Sequence, residues 1–209
     1  MLPVVTACTR ADLGWSNLPF YGVITDAIGQ PSAALAASDK RKKTVSKITI
    51  WGRRSSVNVQ SVLWCLEELG LGYDRIDAGF TYGLVNTDEF RQMNPNGKVP
   101  VIIDGDSAPI FEAGAILRYL ATQYGTAPFW PESPAERAMV DKWAEWAKIN
   151  FASMFIPAVF WPLVRIAPSK RDFAAIGAAL KSVEAELAIA DAALAKTRFL
   201  AGDDFSLAD

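Results

Sequence analysis

From Lys47 onward, short β-branched runs alternate with apolar residues at helical spacing, and their order predicts an architecture. Ile48, Thr49, Ile50 and Trp51 read as a short buried strand, because β-branched and aromatic side chains fit a pleated surface. Gly52 closes it. After the polar Arg53-Arg54-Ser55-Ser56, the residues Val59, Val62, Leu63, Leu66 and Leu69 recur at the intervals of one buried helix face, and Gly70 and Gly72 are expected to stop that helix. A second strand is expected from Tyr73 to Asp77, and Asn86 with Glu89 three residues later predicts a capped start for a short helix. Asn94-Pro95-Asn96-Gly97 reads as a turn, and Val99 to Ile103 as a strand with Pro100 at its mouth. Ala108 to Phe111 is its expected hairpin partner. A helix from Glu112 to Tyr124 follows, with Ala113, Ile116, Leu117 and Leu120 on one face. The predicted order is βαβαββα over residues 47–126.

A linker at 125–132, rich in proline, leads to Ser133-Pro134-Ala135-Glu136, which combines an N-cap, proline at the first helical position and a capping-box glutamate. An all-helical second domain is therefore expected over 133–209. Met139, Trp143, Ala147, Asn150, Phe151 and Met154 fall along one long helix, an aromatic bend is expected from Phe155 to Pro162, and a further helix from Asp172 to Ala195. Ser206-Leu207-Ala208-Asp209 is another capping box and announces one more helix, so the helical domain is expected to be incomplete here and to continue. Residues 1–46 have neither helical nor strand periodicity and are expected to be a disordered extension, ending in the solvated basic run Lys40-Arg41-Lys42-Lys43.

Composition narrows the chemistry. The 209 residues carry 21 Lys+Arg against 23 Asp+Glu, a net charge of -2 that offers no concentrated positive field for nucleic acid or an anionic membrane. There is no histidine, which excludes Ser-His-Asp hydrolysis, Cys-His proteolysis and the commonest metal ligand. Cys8 and Cys65 are too few for a disulfide framework or a four-cysteine metal site, so no metal and a reducing, cytoplasmic setting are expected. Every apolar run is interrupted by charge, proline or glycine, so no membrane span is expected.

Four motifs in order carry a family resemblance. They are Ile50-Trp51-Gly52-Arg53-Arg54-Ser55-Ser56-Val57-Asn58-Val59-Gln60, Asn94-Pro95-Asn96-Gly97-Lys98-Val99-Pro100, Glu112-Ala113-Gly114-Ala115-Ile116-Leu117-Arg118-Tyr119-Leu120, and Phe199-Leu200-Ala201-Gly202-Asp203. Together they resemble the cytosolic glutathione transferases of the bacterial, serine-containing type. The resemblance implies an α/β thioredoxin-like N-terminal domain, an all-α C-terminal domain, a homodimer, and conjugation of glutathione, as co-substrate, to a small electrophile in detoxification.

It also implies roles for individual residues. A hydroxyl at the first helix N-terminus donates a hydrogen bond to the glutathione sulfur and favours thiolate over thiol. Counted from Gly52 and Val62, Ser56 is the catalytic candidate, with Ser55 and Asn58 as alternates; the competing reading is that these three only cap the helix. Val99 before Pro100 resembles the family's cis-proline corner, which offers main chain to the cysteinyl amide, and Lys98 is a candidate partner for a glutathione carboxylate. Glu112 would receive the α-ammonium. Ala113 departs from the usual serine, and a missing hydroxyl there is expected to cost about 1 to 3 kcal/mol of glutathione binding. That departure supports the alternative of a non-catalytic binding or dimerisation module. Trp143, Phe151 and Trp161, within a set that includes Trp146, Phe155 and Phe160, are candidates for the electrophile pocket, whereas Cys65 reads as a buried core residue.

Overall fold

A computed structural model describes residues 47–209, so the expectations placed on the extension, Cys8 and the basic run lie outside the described residues. The sheet is built outward from β1 (Ile48–Trp51) in the order β2-β1-β3-β4. β1 pairs in parallel with β2 (Tyr73–Ile76), Ile48 opposite Tyr73, and antiparallel with β3 (Val101–Asp104), Trp51 opposite Val101. β3 pairs antiparallel with β4 (Ile110–Phe111), Val101 opposite Phe111. Helices α1 (Val57–Glu68), α2 (Asp88–Met93) and α3 (Ala113–Tyr124) complete the predicted βαβαββα order.

Strand alternation sorts the two faces of this sheet. Ile48, Ile50 and Ile102 are buried against Val59, Val62 and Leu66 of α1 and Ile116 and Leu120 of α3. Trp51 and Val101 face the other way, where Phe90 of α2 closes a smaller cluster. Gly52 is demanded by this packing: a Cβ there would lie 2.4 Å from Cγ2 of Val59. At the C-terminal end of β3 Asp104, almost fully buried, accepts hydrogen bonds from the hydroxyls of Tyr119 (2.7 Å) and Tyr124 (2.6 Å).

Phe129 and Trp130 anchor the linker in the first core, and Val140 and Trp143 of the following helix pack against the same cluster. That helix, α4, runs without interruption from Pro134 to Arg165. Arg118 of α3 ties the sheet-containing N-terminal part to the helical region through Asp141 (2.6 Å) and Glu145. Burial lowers the affinity of its guanidinium for the proton, but the hydrogen bonds to Glu145 and Asp141 outweigh that and hold its pKa above the ordinary value. Val159 of α4 meets Ile176 and Val183 of α5 (Phe173–Leu194) in a separate cluster with Phe151, Met154 and Phe155 at its edge.

Several local expectations are corrected. The α2 cap is Thr87, whose side chain accepts from the Phe90 N–H at 3.3 Å, while Asn86 instead accepts from Arg91. Gly70, at φ 64, takes the left-handed position after α1, and Gly72 does not. β3 begins at Val101 because Pro100 has no N–H to give the ladder. Ser133 makes no side-chain cap bond. The expected bend at Phe155 to Pro162 is continuous helix: π-helical turns at Ala147–Ala152 and Ile156–Phe160 carry the chain past Pro157 and Pro162. Met139 and Asn150 of this helix are exposed. Because proline interrupts the sequence but not the helix, α4 is, among the described residues, one helix long and apolar enough to cross a bilayer by length and composition alone. The expectation that every apolar run is cut short fails there.

Candidate active site

Strand direction gathers the three N-terminal motifs at one end of the sheet. The end of β1 lies beside the start of β3, and the start of β3 beside the end of β4. The loop after β1 therefore carries Ser56, the approach to β3 carries Val99-Pro100, and the end of β4 carries Glu112, all on one rim. Contact supports this arrangement, since a Cβ on Gly79 would lie 3.3 Å from Nη1 of Arg53 and 3.5 Å from Cγ1 of Val99.

Ser56 is the N-cap of α1 with extended backbone (φ -90, ψ 121), and its carbonyl accepts the first helical bond from Gln60 at 2.9 Å. Its side chain makes no cap hydrogen bond. The reading in which Ser56 merely caps the helix needs that bond. The residue is 9% exposed and lies with Ser55, Asn58, Phe160, Trp161 and Arg165 around an open cleft of about 100 Å³. Ser55 and Asn58 are exposed at the same rim. A second hollow, about 120 Å³, lies around Trp64, Phe129 and Phe205 and is lined by none of the candidate site residues.

The Val99–Pro100 peptide bond is cis. Buried Asn94 fixes the approach to it: its amide donates to the Lys98 carbonyl at 2.8 Å and its Oδ1 accepts from the Asn96 N–H at 3.0 Å. Lys98 itself is exposed. Glu112 is the N-cap of α3 in the left-handed region, φ 70, a conformation a non-glycine residue holds only where its surroundings require it. Its Oε2 lies 3.7 Å from the ammonium of Lys148 on α4, and Ala113 beside it is buried.

The chain is 45% identical over 163 residues to glutathione S-transferase GstB of Escherichia coli K12, an alignment covering 78% of each protein. The chain belongs to the glutathione S-transferase family. Residues 46–122 match the model of the glutathione S-transferase N-terminal domain. The crystal structure of a theta class glutathione S-transferase from Xanthomonas axonopodis pv. citri with glutathione bound is similar in fold, with TM-score 0.73 and 46% identity over 78% of both chains. Glutathione S-transferase 3 of Zea mays is 32% identical over 79% of this chain and 75% of its own.

Within this transferase fold, the aromatic candidates divide. Trp161 lines the cleft beside Ser56, with Phe160. Trp143 instead packs against the first core and Phe151 against the α4–α5 cluster, so neither lines the cleft. Cys65 is core: burial first, then the nearby Glu68 charge, pushes its thiol up to about 12. Sequence reasoning did not single out Arg53, Ile156 or Arg165 as cleft residues, nor Lys148 beside Glu112. Periodicity carries no signal for them, because charged residues at helix ends and in loops look alike whether they face solvent or a cleft.

Proposed function

We infer that this chain transfers the sulfur of glutathione to a small electrophile, with the Ser56 hydroxyl donating a hydrogen bond that stabilises the thiolate. The observation that carries this reading is an N-cap serine whose hydroxyl leaves the helix uncapped while facing a cleft between the two domains. An anion there is favoured by the unsatisfied N–H groups and positive end of α1. The Val99 main chain at the cis bond would pair with the cysteinyl amide, and Glu112 would accept the α-ammonium. Position 113 has no hydroxyl for the α-carboxylate; Lys148 brings a cation to the same helix start and takes that role, while Lys98 is the candidate partner of the other carboxylate. The acceptor lies over Trp161 and Phe160. The same family reading carries a homodimer, a cytoplasmic setting and a role in detoxification, the first tested by light scattering.

Ser56→Ala tests the mechanism. A charge-assisted hydrogen bond is worth about 1.5 to 3 kcal/mol, so kcat/KM for thiol transfer is expected to fall about 10- to 100-fold. The thiolate absorbance of bound glutathione should titrate at higher pH in the variant. An unchanged titration would reassign the role to Ser55 or Asn58. Binding of glutathione without any turnover by the wild-type chain would favour the non-catalytic module.

A further inference from the structure

Two guanidinium groups frame the cleft beside Ser56, one from each domain. Arg53 lies in the loop after β1 and Arg165 is the last residue of α4. Arg53 stands 5.6 Å and Arg165 5.7 Å from the centre of the Phe80 ring, and Arg165 also lies 4.8 Å from that of Trp161. Among the described residues, no carboxylate is within salt-bridge distance of either. Two like charges converging on one ring repel each other, and an anion between them turns that repulsion into attraction.

The ring they share is held out in solvent. Phe80 is 72% exposed and sits at φ 55, in the left-handed region that a bulky residue avoids. Main-chain bonds from Gly79 to the Gly83 carbonyl (2.8 Å) and from Gly83 to the Phe80 carbonyl (3.3 Å) close the loop that keeps it there. Burial does not repay this conformation. Its contact with two guanidinium groups does, since a guanidinium near an aromatic face is attracted and oriented by it.

We propose that the electrophile taken at this site is an aromatic carboxylate, its ring against Trp161 and Phe160 and its anionic group between Arg53 and Arg165. The inference rests on the transferase reading of Ser56. With a chloronitrobenzoate, the thiol first loses its proton to solvent, and the thiolate then adds to the ring carbon that bears chlorine. The electron pair displaced toward the nitro group returns, the C–S bond remains, and chloride leaves with the C–Cl electrons. The arginines take no part in bond making; they set which acceptor is bound.

The experiment compares 4-chloro-3-nitrobenzoate with its neutral counterpart 4-chloro-3-nitrobenzamide, each rate normalised to the uncatalysed reaction with glutathione. The wild-type chain should favour the acid by at least about tenfold in kcat/KM, and added salt should erode that preference. Arg165→Gln and Arg53→Gln should each bring the ratio toward one, with Arg165→Lys between. The salt titration needs no variant, so misfolding of a variant leaves the test intact. An acid-to-amide ratio near one in the wild type overturns the proposal while leaving the transferase reading in place. So does a variant that raises the KM for glutathione with the ratio unchanged, because the arginines would then hold a carboxylate of glutathione itself. If neither compound nor a neutral dinitro acceptor is turned over, the transferase reading fails first and the proposal with it.

Discussion

Gly52→Ala adds one methyl group where the chain just past β1 packs against Val59 of α1. The new Cβ would stand 2.4 Å from Cγ2 and 3.2 Å from Cγ1 of Val59, against the 3.5 to 4.0 Å of ordinary carbon contacts. Val59 is fully buried and, being β-branched in a helix, has essentially one rotamer, so it cannot turn away. The first turn of α1 must instead move outward by about 1 Å, taking Ser56 with it. Overpacking of this kind costs about 1 to 3 kcal/mol, and a displacement of about 1 Å at a reacting group costs about 100-fold in rate. Urea unfolding should register the first effect and thiol transfer the second. Val59→Ala makes room for the added methyl, so the double variant should recover activity relative to Gly52→Ala, with a coupling of about 1 kcal/mol or more. Additive losses in the double variant, or full activity in Gly52→Ala alone, would refute the steric argument.

Two further outcomes follow from charge. Burial, then the Glu68 charge, raises the Cys65 thiol from 9.0 to about 12, and burial, then the hydrogen bond to Asp104, raises Tyr119 from 10.0 to about 12. Both protons are held by the folded chain and released sooner by the unfolded one, so the unfolded state binds fewer protons between those values and stability falls as pH rises. The Tm should therefore be maintained below pH 9 and decline toward pH 12, less steeply in Cys65→Ala and Tyr119→Phe; a flat profile would contradict it. Lys148→Met should weaken glutathione binding by calorimetry about three- to tenfold, and adding Ala113→Ser should restore it; no effect of either change would remove Lys148 from the site.

What was legible in the sequence was whatever depends on local pattern. Ile48–Trp51, the Val59–Leu66 face and the Ile116–Leu120 face were readable because strand and helix periods sort side chains before any tertiary contact forms. The place of Ser56 at the start of α1 was readable because its position relative to Gly52 is fixed by the short loop between β1 and α1. Arg53, Lys148 and Arg165 were not, since their placement comes from cation–ring and ion-pair contacts across 27 to 85 residues. Trp143 and Phe151 were assigned to the pocket because a periodic aromatic stripe does not say which neighbour covers it; the domain core and α5 cover theirs.

The helix that misled the sequence reading also contains the correction. Its aromatic rings follow one another from Trp143 to Trp146, Phe151, Phe155 and Phe160, with adjacent centres 5.4, 6.5, 5.4 and 6.4 Å apart. The steps from Trp146 to Phe151 and from Phe155 to Phe160 are five residues long, and they span the two π-helical turns. An α-helix advancing five residues would swing the next ring well off the stripe, by about 140°. A π-turn absorbs the extra residue and keeps it on the stripe, which also brings Trp161 and Arg165 back to the cleft. Removing a residue inside such a turn should relax it to α-helix with little rotation downstream. Removing one in the regular first part of α4 should rotate everything beyond by about 100° and turn Phe155 and Val159 away from α5. Deletion of Ala152 is therefore expected to cost markedly less stability in urea, and less thiol transfer, than deletion of Ala138, although Ala138 is the more exposed of the two. Equal losses, or the reverse order, would mean that the π-turns are not what sets the register of this helix.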